Sequence, residues 1–187
     1  MTKKKTLRLR VLSKVEVDTL KFIWKWKLAN TLTLKYAVAP AKSFWKFYQM
    51  LRRLLTEGYL KEVGESEINI PLWTLSKKGF TYINGGNEAL REARFQPQSV
   101  SHDYWGSAFH LGDFVFGVPA NVEILSEQEL NAKNSENLPS WVPTERQHIP
   151  DGLTMIKVDG KKVVLAFETE LSAKTLTRYE DMIRFLD

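Results

Sequence analysis

The sequence predicts an α+β fold in two parts. Residues 1–84 read as a winged helix-turn-helix and residues 99–187 as an α/β domain, with residues 85–98 as the link. Three observations carry this reading. Apolar spacing changes from a helical period to short extended runs twice along the chain. A glycine pair, Gly85-Gly86, leads into a stretch closed by Pro97. The charge divides at the same place. Residues 1–83 hold 17 Lys+Arg against 6 Asp+Glu, whereas residues 84–187 hold 10 against 16. A basic module joined to an acidic one points to two different partners, and a basic module of this size attracts a polyanion, above all nucleic acid.

Composition narrows the function classes. The 187 residues are 43% apolar and 12% aromatic, enough for a packed core. There is no cysteine, which excludes disulfides and thiolate metal sites. Three histidines, His102, His110 and His148, are too few to favour a histidine-built zinc centre. No apolar run approaches the roughly 18 residues of a membrane span. The basic opening MTKKKTLRLR has no apolar run behind it, so no secretory signal is expected and a cytoplasmic location is the simplest expectation.

In the basic half, Ser13 and Glu16 form the S-x-x-E pattern of a capping box, and Val17, Leu20, Trp24 and Leu28 follow at helical spacing. A second helix fits Leu32–Ala39 and stops at Pro40. A third is expected from about Lys42 to Glu57, closed by Gly58, with Phe44, Phe47, Leu51 and Leu54 inward. Its other side carries Lys42, Trp45, Lys46, Gln49, Arg52 and Arg53. GYLKEVGESEINIPLWTLSKKGFTYI then reads as a strand, a polar turn and a second strand. Three helices and a hairpin make a winged helix, whose third helix would enter the major groove of double-stranded DNA. The ending Leu75, Ser76, Lys78, Gly79 resembles the close of the wing in many bacterial winged-helix regulators. Lys77 and Lys78 are therefore expected on the wing, within reach of a flanking phosphate. The plainer account is a solvated cationic helix face.

In the acidic half, SHDYWGSAFHLGDFVFG predicts a mostly buried helix from about Ser101 to Phe116, with Tyr104, Trp105, Ala108, Phe109, Leu111 and Val115 inward. NVEILSEQEL suggests a strand, and a polar connection with two prolines follows. HIPDGLTMIKVDGKKVVLAFETEL reads as a hairpin turning at Asp159-Gly160. A final helix is expected after Ser172. Helix, three strands and a helix are the first part of a restriction-endonuclease-like core. Such a core continues with another strand, so the expectation is either a truncated domain or a sheet edge covered by a partner, with a homodimer favoured.

SHDYWGSAFHL, PDG, and FETELSAKT with the following RY resemble the replication-relaxation family of bacterial mobile elements. That family pairs a winged helix with a domain related to the PD-(D/E)xK nucleases. The matching positions are His102, Pro150, Asp151, Glu168, Glu170, Thr175 and Tyr179. The resemblance implies a part in the replication or transfer of mobile, plasmid-type DNA, alongside other proteins of that process.

Hydrolysis of a phosphodiester in such a site needs carboxylates that hold Mg²⁺ or Mn²⁺ and leave positions open for phosphate and water. Asp151 and Glu168 are the candidate metal ligands, and period-two alternation puts Glu168 and Glu170 on one sheet face. His102 or Asp103 could add a third group. A lysine normally stabilises the developing charge, but position 170 is glutamate. Lys174, or less favourably Lys157, would have to replace it. The expectation is a DNA-binding accessory protein whose nuclease-like domain is silent. A divalent-metal endonuclease and a winged-helix transcription regulator are the competing readings.

Overall fold

The computed structural model describes residues 10–66, 69–84, 99–132, 137–143, 149–170, 176 and 180. Those residues form a mixed α+β structure with six α-helices and two small antiparallel sheets. None of these helices is long and apolar enough to cross a membrane.

Helix α1 (Lys14–Trp26) begins at the predicted capping box: Glu16 N donates to Ser13 Oγ, and Ser13 N donates to the Glu16 carboxylate. It ends at Lys27, whose φ of 63° turns the chain into β1 (Leu28–Asn30). This three-residue strand was not expected, because all three residues are buried and show no alternation. Asn30 caps α2 (Thr31–Val38) by accepting from Thr33 N at 2.8 Å. Helix α3 spans Phe44–Thr56 and buries Phe47, Met50, Leu51 and Leu54.

Strands β2 (Leu60–Glu65) and β3 (Pro71–Leu75) form the expected hairpin, and β1 adds to its other side in the order β1-β3-β2. Trp73 is fully buried on β3, and its Nε1 donates to Thr31 Oγ1 at 2.9 Å. The second strand of the hairpin stops at Leu75, however. SKKGFTYI is not strand: Lys77–Asn84 form helix α4. Ser76 Oγ accepts from Gly79 N, an N-cap that redirects the chain. Gly79 is required by proximity, since a Cβ there would lie 2.1 Å from Tyr59 O. The expected link, residues 85–98, lies outside the described residues.

In the second half, α5 covers Val100–Leu111 and gives way to a 3-10 turn over Gly112–Phe116. The predicted buried face is corrected here. Phe109 is 70% exposed, and His110 and Leu111 are the buried positions. The face turned to the sheet runs through His110, whose ring occupies the place a side chain at Gly152 would take, 2.0 Å from a Cβ. Strand β4 (Val122–Ser126) ends at a second capping box, Ser126 with Glu129, which opens α6 (Glu127–Ala132). Strands β5 (Gly152–Val158) and β6 (Lys161–Phe167) complete the sheet β4-β5-β6. Their turn is Asp159-Gly160 with φ of 50° and 75°, the positive pair a two-residue hairpin needs. Of the expected final helix, only Leu176 and Glu180 are described.

The two halves touch directly. Trp26, near the end of α1, packs with Leu111, Val122 and Ile124. Lys25 Nζ donates to Ile124 O at 3.1 Å, and Asn30 Nδ2 lies 3.5 Å from Tyr104 Oη.

Candidate functional site

The first candidate surface is the outer side of α3. Ser43 starts the helix, and the apolar positions turn one side onto β2 and α2. Lys42, Trp45, Lys46 and Gln49 are exposed together, and neither lysine makes an ion pair among the described residues. Trp45 is 62% exposed, and Phe44, expected inside, is 42% exposed.

The other basic positions are differently placed. Arg53 Nη2 lies 2.6 Å from Glu16 Oε1, and Arg10 holds the same carboxylate at 2.8 Å. Glu16 is fully buried. Burial pushes its pKa up, but hydrogen bonds from Arg10, Ser13 and Arg53 outweigh this and hold it at about 2. Arg53 is thus committed to a buried acid. Arg52 pairs with Glu62 at 3.1 Å across the helix–strand contact. Lys77 and Lys78 are not on the wing but in the first turn of α4. Lys78 Nζ donates to Glu57 O at 2.7 Å and sits 4.0 Å from the centre of the Tyr59 ring.

The acidic hairpin is also rearranged. Strand β6 ends at Phe167, so Glu168 and Glu170 stand in the coil beyond it, where strand alternation no longer applies. They line an aromatic pocket with Trp105, Phe109 and Phe167. Asp151 precedes β5 and faces a different pocket, beside His102 and Asp103. Its Oδ2 accepts from Thr169 N at 2.7 Å, tying the coil after β6 to the head of β5. The predicted cluster of Asp151, Glu168 and Glu170 on one sheet face is therefore divided between two pockets. Among the described residues, no three histidine or acidic side chains are disposed to hold a metal ion. Lys157 lies at the opposite end of β5, about 20 Å along the strand from Asp151. Lys174, Thr175 and Tyr179 lie outside the described residues.

The pocket around Asp151 contains groups that sequence reading passed over. Lys27 is largely buried and bridges Glu127 and Asp103, lying 3.4 Å from Asp103 Oδ1. Burial lowers its pKa, but the two carboxylates outweigh that and raise it. His102 stands between two acids, with Nδ1 3.5 Å from Asp103 Oδ1 and Nε2 3.6 Å from Asp151 Oδ2. This arrangement can hold the N-termini of α5 and α6 against the end of α1. The S-x-x-E pattern at Ser126 was the available signal for α6. No local pattern marks Lys27, because its partners lie about 76 and 100 residues away. No protein-family model, curated protein or solved structure matches the chain.

Proposed function

We propose that the protein is a DNA-binding accessory protein of mobile-element replication or transfer. In this reading α3 enters the major groove of duplex DNA and the β2–β3 hairpin serves as the wing. Two features support the winged-helix assignment: the order α1-β1-α2-α3-β2-β3, and the small sheet β1-β3-β2 that packs behind the helices. The observation that carries the proposal is the exposed set Trp45, Lys46 and Gln49 on a helix whose opposite side is locked into the core, with exposed Lys42 in the turn just before the N-cap Ser43. Exposed lysines that make no ion pair among the described residues match a phosphate backbone. The mobile-element context rests on the short motifs around His102, Asp151 and Glu168.

The second half, in this proposal, is a nuclease-like domain that serves architecture. Asp151 accepts from Thr169 N and lines a different pocket from Glu168 and Glu170. The test measures binding to a mixed-sequence duplex across a salt series. Lys42→Ala/Lys46→Ala should weaken binding and flatten the log–log salt slope by about 0.9 per lost phosphate contact. An unchanged affinity and slope would reject α3 as the interface. Nicking of supercoiled DNA in Mg²⁺ or Mn²⁺ that disappears in Asp151→Ala would replace the accessory role with an endonuclease.

A further inference from the structure

The outer end of α3 carries more than charge. Phe44 and Tyr48 stack with ring centres 6.2 Å apart and planes within 4°. Trp45 and Tyr48 meet at 5.8 Å and 31°. Tyr48 in turn meets fully buried Trp73 edge-on at 6.3 Å, and Trp73 is fixed by its hydrogen bond to Thr31. The rings thus form a continuous chain from the core to the surface. It ends at Trp45, which is 62% exposed, next to exposed Lys46 and shortly after exposed Lys42, which stands in the turn before the helix.

An indole held so far into solvent leaves its hydrophobic surface unused, and its anchoring through Tyr48 lowers the entropic cost of stacking something on it. The flanking lysines, in a half with a large excess of positive charge, select an anionic chain over an apolar protein segment. Every nucleic-acid base offers a flat face, but inside a continuous duplex those faces are covered. Bases become available where pairing is interrupted.

Building on the proposed DNA-binding role of α3, we propose that this aromatic platform is a stacking site for an unpaired base, so that the preferred ligand is duplex DNA interrupted by a short unpaired stretch. Lys42 and Lys46 hold the backbone on either side, and Trp45 receives the exposed base.

The experiment compares three probes of one length: a continuous duplex, the same duplex with a three-nucleotide bubble, and the single strand. Fluorescence anisotropy is read for the intact chain, Trp45→Leu and Lys42→Ala/Lys46→Ala. Leucine keeps an apolar side chain but removes the stacking face, and an unchanged thermal melt confirms that the exposed site tolerates it. The expected result is tighter binding of the bubble than of the duplex, on the order of ten-fold. Trp45→Leu should abolish that preference, bringing bubble and duplex affinities within about two-fold of each other. Equal affinities of the intact chain for bubble and duplex overturn the inference and leave the duplex reading standing. So does a bubble preference that survives Trp45→Leu. Loss of duplex binding in the double lysine variant supports the parent reading separately, and no binding of any probe by the intact chain rejects both.

Discussion

The two halves are stabilised in different ways. In the first, fifteen buried hydrophobic side chains from α1 to α4 form one cluster around Leu20, Phe47 and Trp73. Among the described residues of the second, one cluster has four, Leu125, Leu130, Val142 and Leu153, and another joins Leu111, Val122 and Ile124 to Trp26 of α1. Buried apolar area is the dominant favourable term in folding, so this fifteen-residue cluster is the main support of the first half. The second borrows from the first, through Trp26 and through Lys25 and Lys27, which reach Glu129, Glu127 and Asp103. The exposed side of α3 belongs to the half with the larger described core, and the His102–Asp151 pocket to the seam between the halves.

Truncating the two core centres should sharpen this contrast most. Trp73→Ala removes a fully buried indole and its hydrogen bond to Thr31, at a cost of roughly 3–5 kcal/mol. Leu153→Ala should fall near the lower end of the roughly 2–5 kcal/mol range, because its smaller cluster can collapse around the gap. Urea midpoints multiplied by their slopes give both values. A cost for Leu153→Ala equal to that for Trp73→Ala would break the comparison.

Acid should separate the halves next. His110, 3% exposed, is stacked on Phe167 at 4.3 Å and linked to Thr154 Oγ1 at 3.0 Å. Burial pushes its pKa down to about 4. The unfolded chain therefore takes up this proton first, and stability falls as pH drops from about 6.5 towards 4, by about 3 kcal/mol in all. Glu16 acts in a lower window. Its folded pKa of about 2 lies below the unfolded value near 4.5, so its contribution is full above that value and disappears as pH falls through 2. Denaturation midpoints measured from pH 8 to 2 should show two successive losses. His110→Asn should flatten the upper one alone, and an unaltered profile would remove His110 as its source.

The smallest effect should come from Arg52→Ala. Its exposed pair with Glu62 is worth under about 1 kcal/mol, and a thermal melt should barely move. A larger loss would mean that the α3–β2 contact depends on charge as well as on its apolar side.

The elements most legible in the sequence are those made by near neighbours. Ser13 and Glu16 are three residues apart, and Asp159-Gly160 contains its own positive-φ pair. The same logic holds at Ser126 and Glu129, but the apolar run just before them favours a strand across the same stretch. Trp45, Lys46 and Gln49 followed from helical spacing, whereas Lys42 lies before the helix, Arg53 turns to Glu16, Phe44 lies outside and Met50 inside. Strand β1 was hidden because three buried residues carry no period. The end of the hairpin was misread as strand because Ser76 and Gly79 act through Gly58 and Tyr59, about twenty residues earlier.

By itself the sequence determined the start of α1, the hairpin turn and the division of charge, since each depends on residue type and spacing within a few positions. Only the tertiary structure decided which charges remain exposed. Arg53 is spent on Glu16, 37 residues away, and Asp151 on Thr169 N, 18 residues away, while Lys42 and Lys46 stay on the surface. The physical reason is that a charge buried without a partner is prohibitively costly. Packing therefore assigns partners to the inward groups first, and the chain order does not show which groups those will be.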